Sequence, residues 1–116
     1  YLGWAVKNVL RNAARYARQR VTVCIEERES CCQIHIDDDG PGIPARDREQ
    51  VFQPFFRVDK SRDKHSGGYG LGLAIAKSIM TWHRGDIRVS RAGLGGARFT
   101  LTLPASLEAE GDCVSN

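Results

Sequence analysis

The feature that most constrains the fold is the alternation of apolar and polar residues in four short segments. The alternation covers residues 21–25, 32–36, 87–89 and 98–103. Alternation with period two predicts strands that have one apolar and one polar face. Strands of this kind favour a sheet that packs helices on one side and faces solvent on the other. The predicted fold class is therefore α+β, a two-layer α/β sandwich with a mixed, largely antiparallel sheet and helices on one face.

Two longer segments predict the helices of the second layer. Apolar residues recur at helical spacing over 1–18 and again over 70–84, where we expect Gly85 to end the helix. Residues 45–52 predict a further short helix. Residues 54–68 show no periodicity and predict a long loop, which in a compact domain is usually functional or disordered.

The length of the chain limits it to one domain. Its 116 residues suffice for a single compact domain and are too few for two. We expect residues 1–105 to form this domain, truncated at its N-terminus because the sequence begins inside a predicted helix, and residues 106–116 to form a polar tail. No apolar run approaches the roughly 18 residues of a membrane span, and nothing resembles a signal peptide.

Charge and cysteine content exclude further classes of function. The net charge of +3, from 17 Lys and Arg against 14 Asp and Glu, is too small to indicate a nucleic-acid-binding protein. The four cysteines include no Cys-x-x-Cys pair, which argues against a zinc site and against a disulfide framework. Reduced thiols in a cytoplasmic domain are the expected state.

The first predicted helix carries an unusual polar face. Asn8, Asn12 and Arg15 cluster within about 60° of one another around the helix axis, and Tyr16 flanks them. Asparagine is a poor helix former, and its amide oxygen is a ligand that suits Mg²⁺, while an arginine can meet a phosphate. From these residues alone, a solvated surface and a metal–phosphate site are equally good interpretations.

The second strand runs into an acidic turn, Asp37-Asp38-Asp39-Gly40-Pro41-Gly42. A strand end followed by a glycine turn is a common place for a ligand. A carboxylate there only accepts hydrogen bonds, so it could accept one from the exocyclic amine of adenine and would reject guanine. An ordinary acidic turn is the simpler interpretation of this stretch by itself.

A glycine run, Gly68-Tyr69-Gly70-Leu71-Gly72-Leu73, precedes the second long helix. Such a turn presents unpaired N–H groups and the positive end of the helix dipole, which favours phosphate. The run is not a P-loop, because Lys77 lies on the third turn of the helix, and it does not match the dinucleotide fingerprint. Isolated glycine clusters are more often simple turns.

Taken in order, the motifs Asn-x-x-x-Asn, Asp-x-Gly-x-Gly, Phe-x-Pro-Phe and Gly-x-Gly-x-Gly resemble the catalytic ATP-binding domain of bacterial sensor histidine kinases. That domain has the Bergerat fold of the GHKL group, shared with DNA gyrase, Hsp90 and MutL. The resemblance spans residues 2–104. The stretches that carry it are Asn8–Tyr16, Asp39–Ile43, Phe52–Arg57, Gly68–Leu73 and Gly95–Phe99.

The resemblance implies ATP and Mg²⁺ as cofactors and assigns roles to individual residues. Asn12 would ligate Mg²⁺ with help from Asn8, and these two with Arg57 would be the catalytic residues. Asp39 would accept the adenine amine, and residues 57–66 would form a mobile lid. The residues expected to bind the nucleotide, besides Asn12 and Asp39, are Arg15, Tyr16, Gly40, Gly42, Ile43, Lys60, Gly68, Gly70, Leu71, Gly72 and Leu73.

The resemblance also implies a reaction, namely donation of the γ-phosphoryl group of ATP to a histidine on a separate dimerisation domain, for onward transfer to a response regulator. Asn8 stands where the gyrase and Hsp90 branch has a glutamate base, which disfavours ATP hydrolysis. His35, His65 and His83 lack the setting of a phosphoacceptor, so we do not expect this fragment to phosphorylate itself. The full-length protein is expected to be a homodimeric, inner-membrane-anchored bacterial sensor, and this fragment a cytoplasmic monomer.

Two alternatives stay open. One is a serine kinase of the anti-sigma-factor type. The segment Phe52–Phe55 and the following Arg57-Val-Asp59 favour a histidine kinase over it. The other is a degenerate, non-catalytic module for nucleotide binding or protein interaction. The intact Asn12, Asp39 and glycine run argue against it. Nucleic acid is not an expected partner, since the basic residues surround the predicted ATP site.

Overall fold

A four-stranded sheet forms one layer and two helices form the other in this computed structural model, which describes residues 1–56 and 70–104. All pairings among the described strands are antiparallel. The predicted α+β class with helices on one sheet face is confirmed. The elements in chain order are α1 (Leu2–Tyr16), β1 (Val21–Glu27), β2 (Cys31–Asp38), two 3-10 turns (Ala45–Asp47 and Gln50–Phe52), α2 (Gly72–Trp82), β3 (Asp86–Arg91) and β4 (Ala97–Pro104).

The sheet has the strand order β1-β2-β4-β3, so β2 and β4 are its centre. Ile36 of β2 pairs with Val23 of β1 on one side and with Phe99 of β4 on the other, and Phe99 in turn pairs with Val89 of β3. Because side chains alternate between the two faces of a strand, these four lie in one row on the helical side of the sheet. Ile36 and Phe99 are completely buried there.

The two helices run antiparallel over this face. The ring of Tyr1, just before α1, lies edge-to-face against Trp82 at the end of α2, with 6.5 Å between centroids, while Asn8 faces Gly72 at the start of α2. Their buried faces are rich in small residues, which lets the helices approach the sheet closely. The buried residues are Ala5, Val9 and Ala13 of α1 and Ala76, Ile79 and Met80 of α2.

The edge strand β1 differs from its prediction. Alternation predicts one buried face, but Val23 is 51% and Ile25 63% exposed. The physical reason is the placement of the helices, since α1 packs mainly on β2 and α2 mainly on β3 and β4. The apolar side of β1 therefore lies beyond the helical layer.

The ends of the two helices also differ from those that the periodicity predicts. The backbone of Ala17 is extended, with φ −64° and ψ 145°, which ends α1 at Tyr16. The end of α2 is a Schellman motif, in which the N–H of Arg84 donates to Thr81 O (3.0 Å) and that of Gly85 to Met80 O (2.7 Å). The left-handed residue is Arg84, with φ +60°, and not the expected Gly85.

Two further expectations concern the cysteines and membrane insertion. Cys24 and Cys32 carry free thiols, whereas Cys31 is disulfide-bonded, so the prediction of reduced thiols is wrong at Cys31. The cysteine argument for a cytoplasmic location therefore does not hold. Within residues 1–56 and 70–104, no helix has the length and apolar character needed to cross a bilayer.

Candidate functional site

A buried carboxylate, that of Asp38, lies at the end of β2. Its residue is only 2% exposed, and its Oδ1 accepts hydrogen bonds from the backbone N–H of Gly40 (2.8 Å) and of Ala97 (3.2 Å). Burial of a carboxylate requires such donors, because an unpaired buried charge is strongly unfavourable. Neither bond involves Oδ2, which is the oxygen through which Asp38 could accept a hydrogen bond from a ligand.

The turn after Asp38 is packed so tightly that glycine is required at two places. A Cβ at Gly40 would collide with the backbone oxygen of Tyr16 at the end of α1. A Cβ at Gly96, between β3 and β4, would collide with Oδ1 of Asp38. Gly42 adds a left-handed backbone, with φ +76°. The end of α1, the acidic turn and the β3–β4 hairpin therefore hold the carboxylate in one position.

The structure gives Asp39 a different set of contacts from the predicted adenine contact. Its Oδ1 accepts hydrogen bonds from the backbone N–H of Arg18 (2.7 Å) and of Gln19 (3.1 Å), and its Oδ2 also accepts from Gln19 (3.1 Å). The bond from Gln19 is the largest cause that holds the pKa of Asp39 below its usual range, with further backbone bonds from Arg20 and Arg18. Asp39 thus ties the turn to the loop after α1.

The spacing of the motif makes Asp38 a second candidate for its acidic residue. In Asp-x-Gly-x-Gly the acid stands two residues before the first glycine, which is Asp38 and not Asp39. The strand register carries the same signal, because Ile34, Ile36 and Asp38 are spaced by two and share the inner face. Asp37 lies on the outer face, where Arg98 donates two hydrogen bonds to it at 2.9 and 3.0 Å.

The polar face of α1 meets the beginning of α2. Asn8 is half-buried, and its Nδ2 donates a hydrogen bond to Trp4 O at 3.0 Å. This bond leaves Oδ1 directed at Gly72, where an added Cβ would lie 3.3 Å from it. Asn12, also half-buried, lies one turn further along α1, and the exposed Arg15 follows it.

The glycine turn holds the start of α2 in place. Gly70 has φ +76°, and its carbonyl accepts a hydrogen bond from the N–H of Phe55 at 2.8 Å. A Cβ at Gly70 would lie 2.8 Å from the Cα of Phe55, so the close approach requires glycine. Leu71 is the N-cap of α2 and makes no side-chain capping bond. The N-cap side chain therefore does not occupy the first amides of α2, which suits an anion.

The remaining predicted residues fall into two groups. Ile43 and Leu73 are partly buried and pack against the hydrophobic core, and Tyr16 is half-buried where α1 meets Gly40. Arg57, Lys60 and Gly68 lie outside the described residues.

A depression of about 290 Å³ lies beside the acidic turn. Arg48 lines it and donates a hydrogen bond from Nε to Ile43 O at 3.1 Å. Its lining includes the predicted Gly42 and Ile43 but neither Asp38 nor the asparagines of α1, so it holds only part of the candidate site. The other lining residues are Pro41, Pro44, Arg91, Gly95 and Gly96.

Helix α1 connects the two ends of the candidate site. At Tyr16 it touches the turn that holds Asp38, and at Asn8 it touches the first turn of α2. The two contacts are eight residues apart, about 12 Å along the helix axis. The buried carboxylate of Asp38, the side-chain amides of Asn8 and Asn12, and the first turn of α2 thus lie along α1. Among the described residues, no three His, Cys, Asp or Glu side chains are grouped so that they could hold a metal ion.

Comparisons with known proteins indicate the family of the chain. Residues 1–107 match the family described as histidine kinase-, DNA gyrase B-, and HSP90-like ATPases. The sensor histidine kinase CpxA of Escherichia coli K12 is 44% identical over 100 residues, which are 86% of this chain and 22% of CpxA. The chain therefore spans about a fifth of the length of this curated relative.

Solved structures of similar fold come from the same class of protein. The mycobacterial sensor histidine kinase MprB has a TM-score of 0.76 at 38% identity, over 88% of this chain and 68% of that one. The ATP binding domain of PrrB from Mycobacterium tuberculosis has a TM-score of 0.69 at 30% identity, over 88% and 65% of the two chains.

Proposed function

The chain belongs to the family of histidine kinase-, DNA gyrase B- and HSP90-like ATPases, and we propose that it binds ATP with Mg²⁺ as the catalytic domain of a sensor histidine kinase. The observation that carries the proposal is the connection made by α1, which touches the turn of Asp38 at one end and the start of α2 at the other. The likeness to the ATP binding domain of PrrB, at 30% identity, supports the choice of nucleotide.

Asp38 is proposed to recognise the base. Its buried, acceptor-only carboxylate suits the exocyclic amine of adenine, whereas guanine offers a carbonyl oxygen at the equivalent edge. Because Gly40 and Gly96 leave no room for movement, the carboxylate is already in position before the base arrives. Gly42 and Ile43, which follow in the same turn, are proposed to line the base pocket.

The phosphates are proposed to lie along α1, from Arg15 past Asn12 to Asn8 and the start of α2. Asn12, with Asn8, would hold Mg²⁺, and both residues fit it because their amide oxygens are hard, neutral donors. The bond from Asn8 Nδ2 to Trp4 O supports this assignment, since it orients the amide oxygen away from the helix backbone. Bound Mg²⁺ would neutralise charge on the phosphate oxygens. Arg15 and the first amides of α2 would contact the phosphates, as would Arg57 and Lys60, with Gly68 and Gly70 as hinges.

Transfer to a histidine of another domain is the proposed reaction. The acceptor nitrogen would attack the γ-phosphorus, the bond from that phosphorus to the bridging oxygen would break, and ADP would leave. Positioning and charge neutralisation account for most of such catalysis. The amide of Asn8 cannot take a proton from water at neutral pH, which favours transfer over hydrolysis.

His65 lies outside the described residues, and the contacts of the other two histidines support an acceptor elsewhere. Both ring nitrogens of His35 are engaged, Nε2 with Glu26 at 2.6 Å and Nδ1 with Thr100 at 3.0 Å. His83 bonds through Nδ1 to Ile79 O at 2.9 Å. By analogy with the sensor kinase relatives, we propose a dimerisation domain and a response regulator as partners, in a homodimeric protein anchored in the bacterial inner membrane.

The experiment that tests this function is titration of the chain with ATP, followed by incubation with γ-labelled ATP. We expect binding that strengthens with Mg²⁺, no label on the chain itself, and label on the dimerisation domain of the same kinase when that domain is added. Absence of nucleotide binding with and without Mg²⁺ would favour a non-catalytic module. Label on a serine of an added substrate, with none on histidine, would favour the serine kinase.

A further inference from the structure

The solvent-facing side of α1 carries positive charge that no acid on the helix balances. Lys7, Arg11 and Arg15 are exposed and follow Trp4 at intervals of three, four and four residues. Helical geometry places these four residues within about 80° of one another along about 16 Å of the axis. We call Trp4, Lys7, Arg11 and Arg15 the outer stripe of α1. Leu2–Tyr16 contains no Asp or Glu.

Arg15 lies in the last turn of α1, where a cation suits the helix dipole, but the fold of the helix does not account for Lys7 and Arg11. Like charges four residues apart weaken a helix, and both Lys7 with Arg11 and Arg11 with Arg15 have this spacing. The helix is held by its opposite face, where Ala5 and Val9 are buried. The ion pairs found among residues 1–56 and 70–104 join other side chains, namely His35 with Glu26, Arg88 with Asp86 and Arg98 with Asp37.

Trp4 adds an apolar anchor to the charge. Its residue is 55% exposed at the beginning of the outer stripe. Tryptophan and arginine are the residue types that most often dominate the binding energy of protein interfaces. A helix that carried acids at the same spacing would place one carboxylate opposite each cation and its own apolar residues against the indole.

The outer stripe borders the phosphate end of the candidate site. Arg15 belongs to both, and Asn8 lies on the same helix beside Trp4, to whose carbonyl it donates a hydrogen bond. Resting on the proposed function, we infer that the outer stripe docks an acidic helix of the protein that carries the phosphoacceptor histidine. A protein seated there would lie beside the proposed position of the γ-phosphate, where the acceptor has to arrive, and this favours a protein partner over an anionic membrane.

The test uses a fluorescent alanine-based helical peptide with glutamates spaced by three, four and four residues, and a matched peptide with lysines. The chain is compared with its Lys7→Glu/Arg11→Glu variant by fluorescence anisotropy at low salt. We expect the variant to bind the glutamate peptide at least about tenfold more weakly and to bind the lysine peptide better than the unaltered chain does. Arg28→Glu/Arg46→Glu, which changes two exposed arginines elsewhere by the same charge, should bind like the unaltered chain.

Several outcomes would overturn the inference. These are equal affinity for the two peptides, no binding of either, an equal loss in the Arg28→Glu/Arg46→Glu control, or binding of phosphatidylglycerol vesicles through Lys7 and Arg11 without binding of the glutamate peptide. ATP titration of the same samples separates this inference from the proposed function. Intact ATP binding with failed peptide binding rejects only the docking surface, and absent ATP binding in the unaltered chain rejects the proposed function.

Discussion

The two ends of the candidate site are built in different ways. At the base end, Asp38 is buried and is held by backbone hydrogen bonds and by glycines that admit no side chain. At the phosphate end, Asn8, Asn12 and Arg15 project from the surface of a helix that other residues stabilise. The base end is therefore part of the fold, whereas these three side chains of the phosphate end are not needed for it. Substitutions should reveal this difference by changing stability at one end and binding alone at the other.

The largest effect on stability is expected from Gly96→Ala. The new Cβ would collide with Asp38 Oδ1 and with the backbone of the acidic turn, so the turn has to move. Overpacking of this kind lowers the free energy of unfolding by about 3 kcal/mol. Urea unfolding measures the loss. Gly93→Ala is the matched control in the same hairpin, because a Cβ there meets nothing within 4 Å. Equal stability of the two variants would contradict the claim that the base end is too tightly packed to admit a side chain at Gly96.

A smaller and different effect is expected from Asn12→Ala. Loss of one metal ligand should weaken ATP binding in the presence of Mg²⁺ by about tenfold or more, which corresponds to about 1.5 kcal/mol. The free energy of unfolding should change by less than about 0.5 kcal/mol, since alanine is the better helix former. Titration with and without Mg²⁺, with Lys7→Ala as the control, measures this. A Mg²⁺ dependence that survives in Asn12→Ala would remove this residue from the phosphate end.

The smallest effect concerns the pH dependence conferred by Asp39. Its pKa is lowered in the folded protein, chiefly by the bond from Gln19, so its stabilising effect is present above the unfolded pKa of about 3.9 and is lost as the pH falls through the folded value. Asp39→Asn should therefore lower Tm slightly at pH 7, and the difference should shrink below about pH 3.9. Thermal unfolding across this range tests it, with Glu49→Gln as a control for the lost charge. A difference in Tm that grows as the pH falls would show that the hydrogen bonds of Asp39 do not stabilise the fold.

The sequence predicts those parts of the molecule that local pattern determines. Alternation places Ile36 and Phe99 in the core correctly, and helical periodicity finds the shared face of Asn8 and Asn12. The same alternation, continued by two residues, would also have identified Asp38 as the inward carboxylate.

Other features depend on contacts between elements that are distant in sequence. The exposure of Ile25 follows from where α1 and α2 lie on the sheet. Arg84 has the left-handed backbone at the end of α2, while Gly85 is needed because a Cβ would collide with Thr102 O across the sheet. No local pattern reports such a contact.

The central claim is that Asp38, and not its neighbour Asp39, recognises the base. Calorimetric titration of ATP and GTP against Asp38→Asn and Asp39→Asn, each checked for folding by urea unfolding, tests it directly. We predict that folded Asp38→Asn binds ATP at least about tenfold more weakly and loses its preference for ATP over GTP, since the amide replaces an acceptor with a donor. Asp39→Asn should keep both affinity and preference. Retained ATP preference in Asp38→Asn, or its loss in Asp39→Asn, would contradict the account.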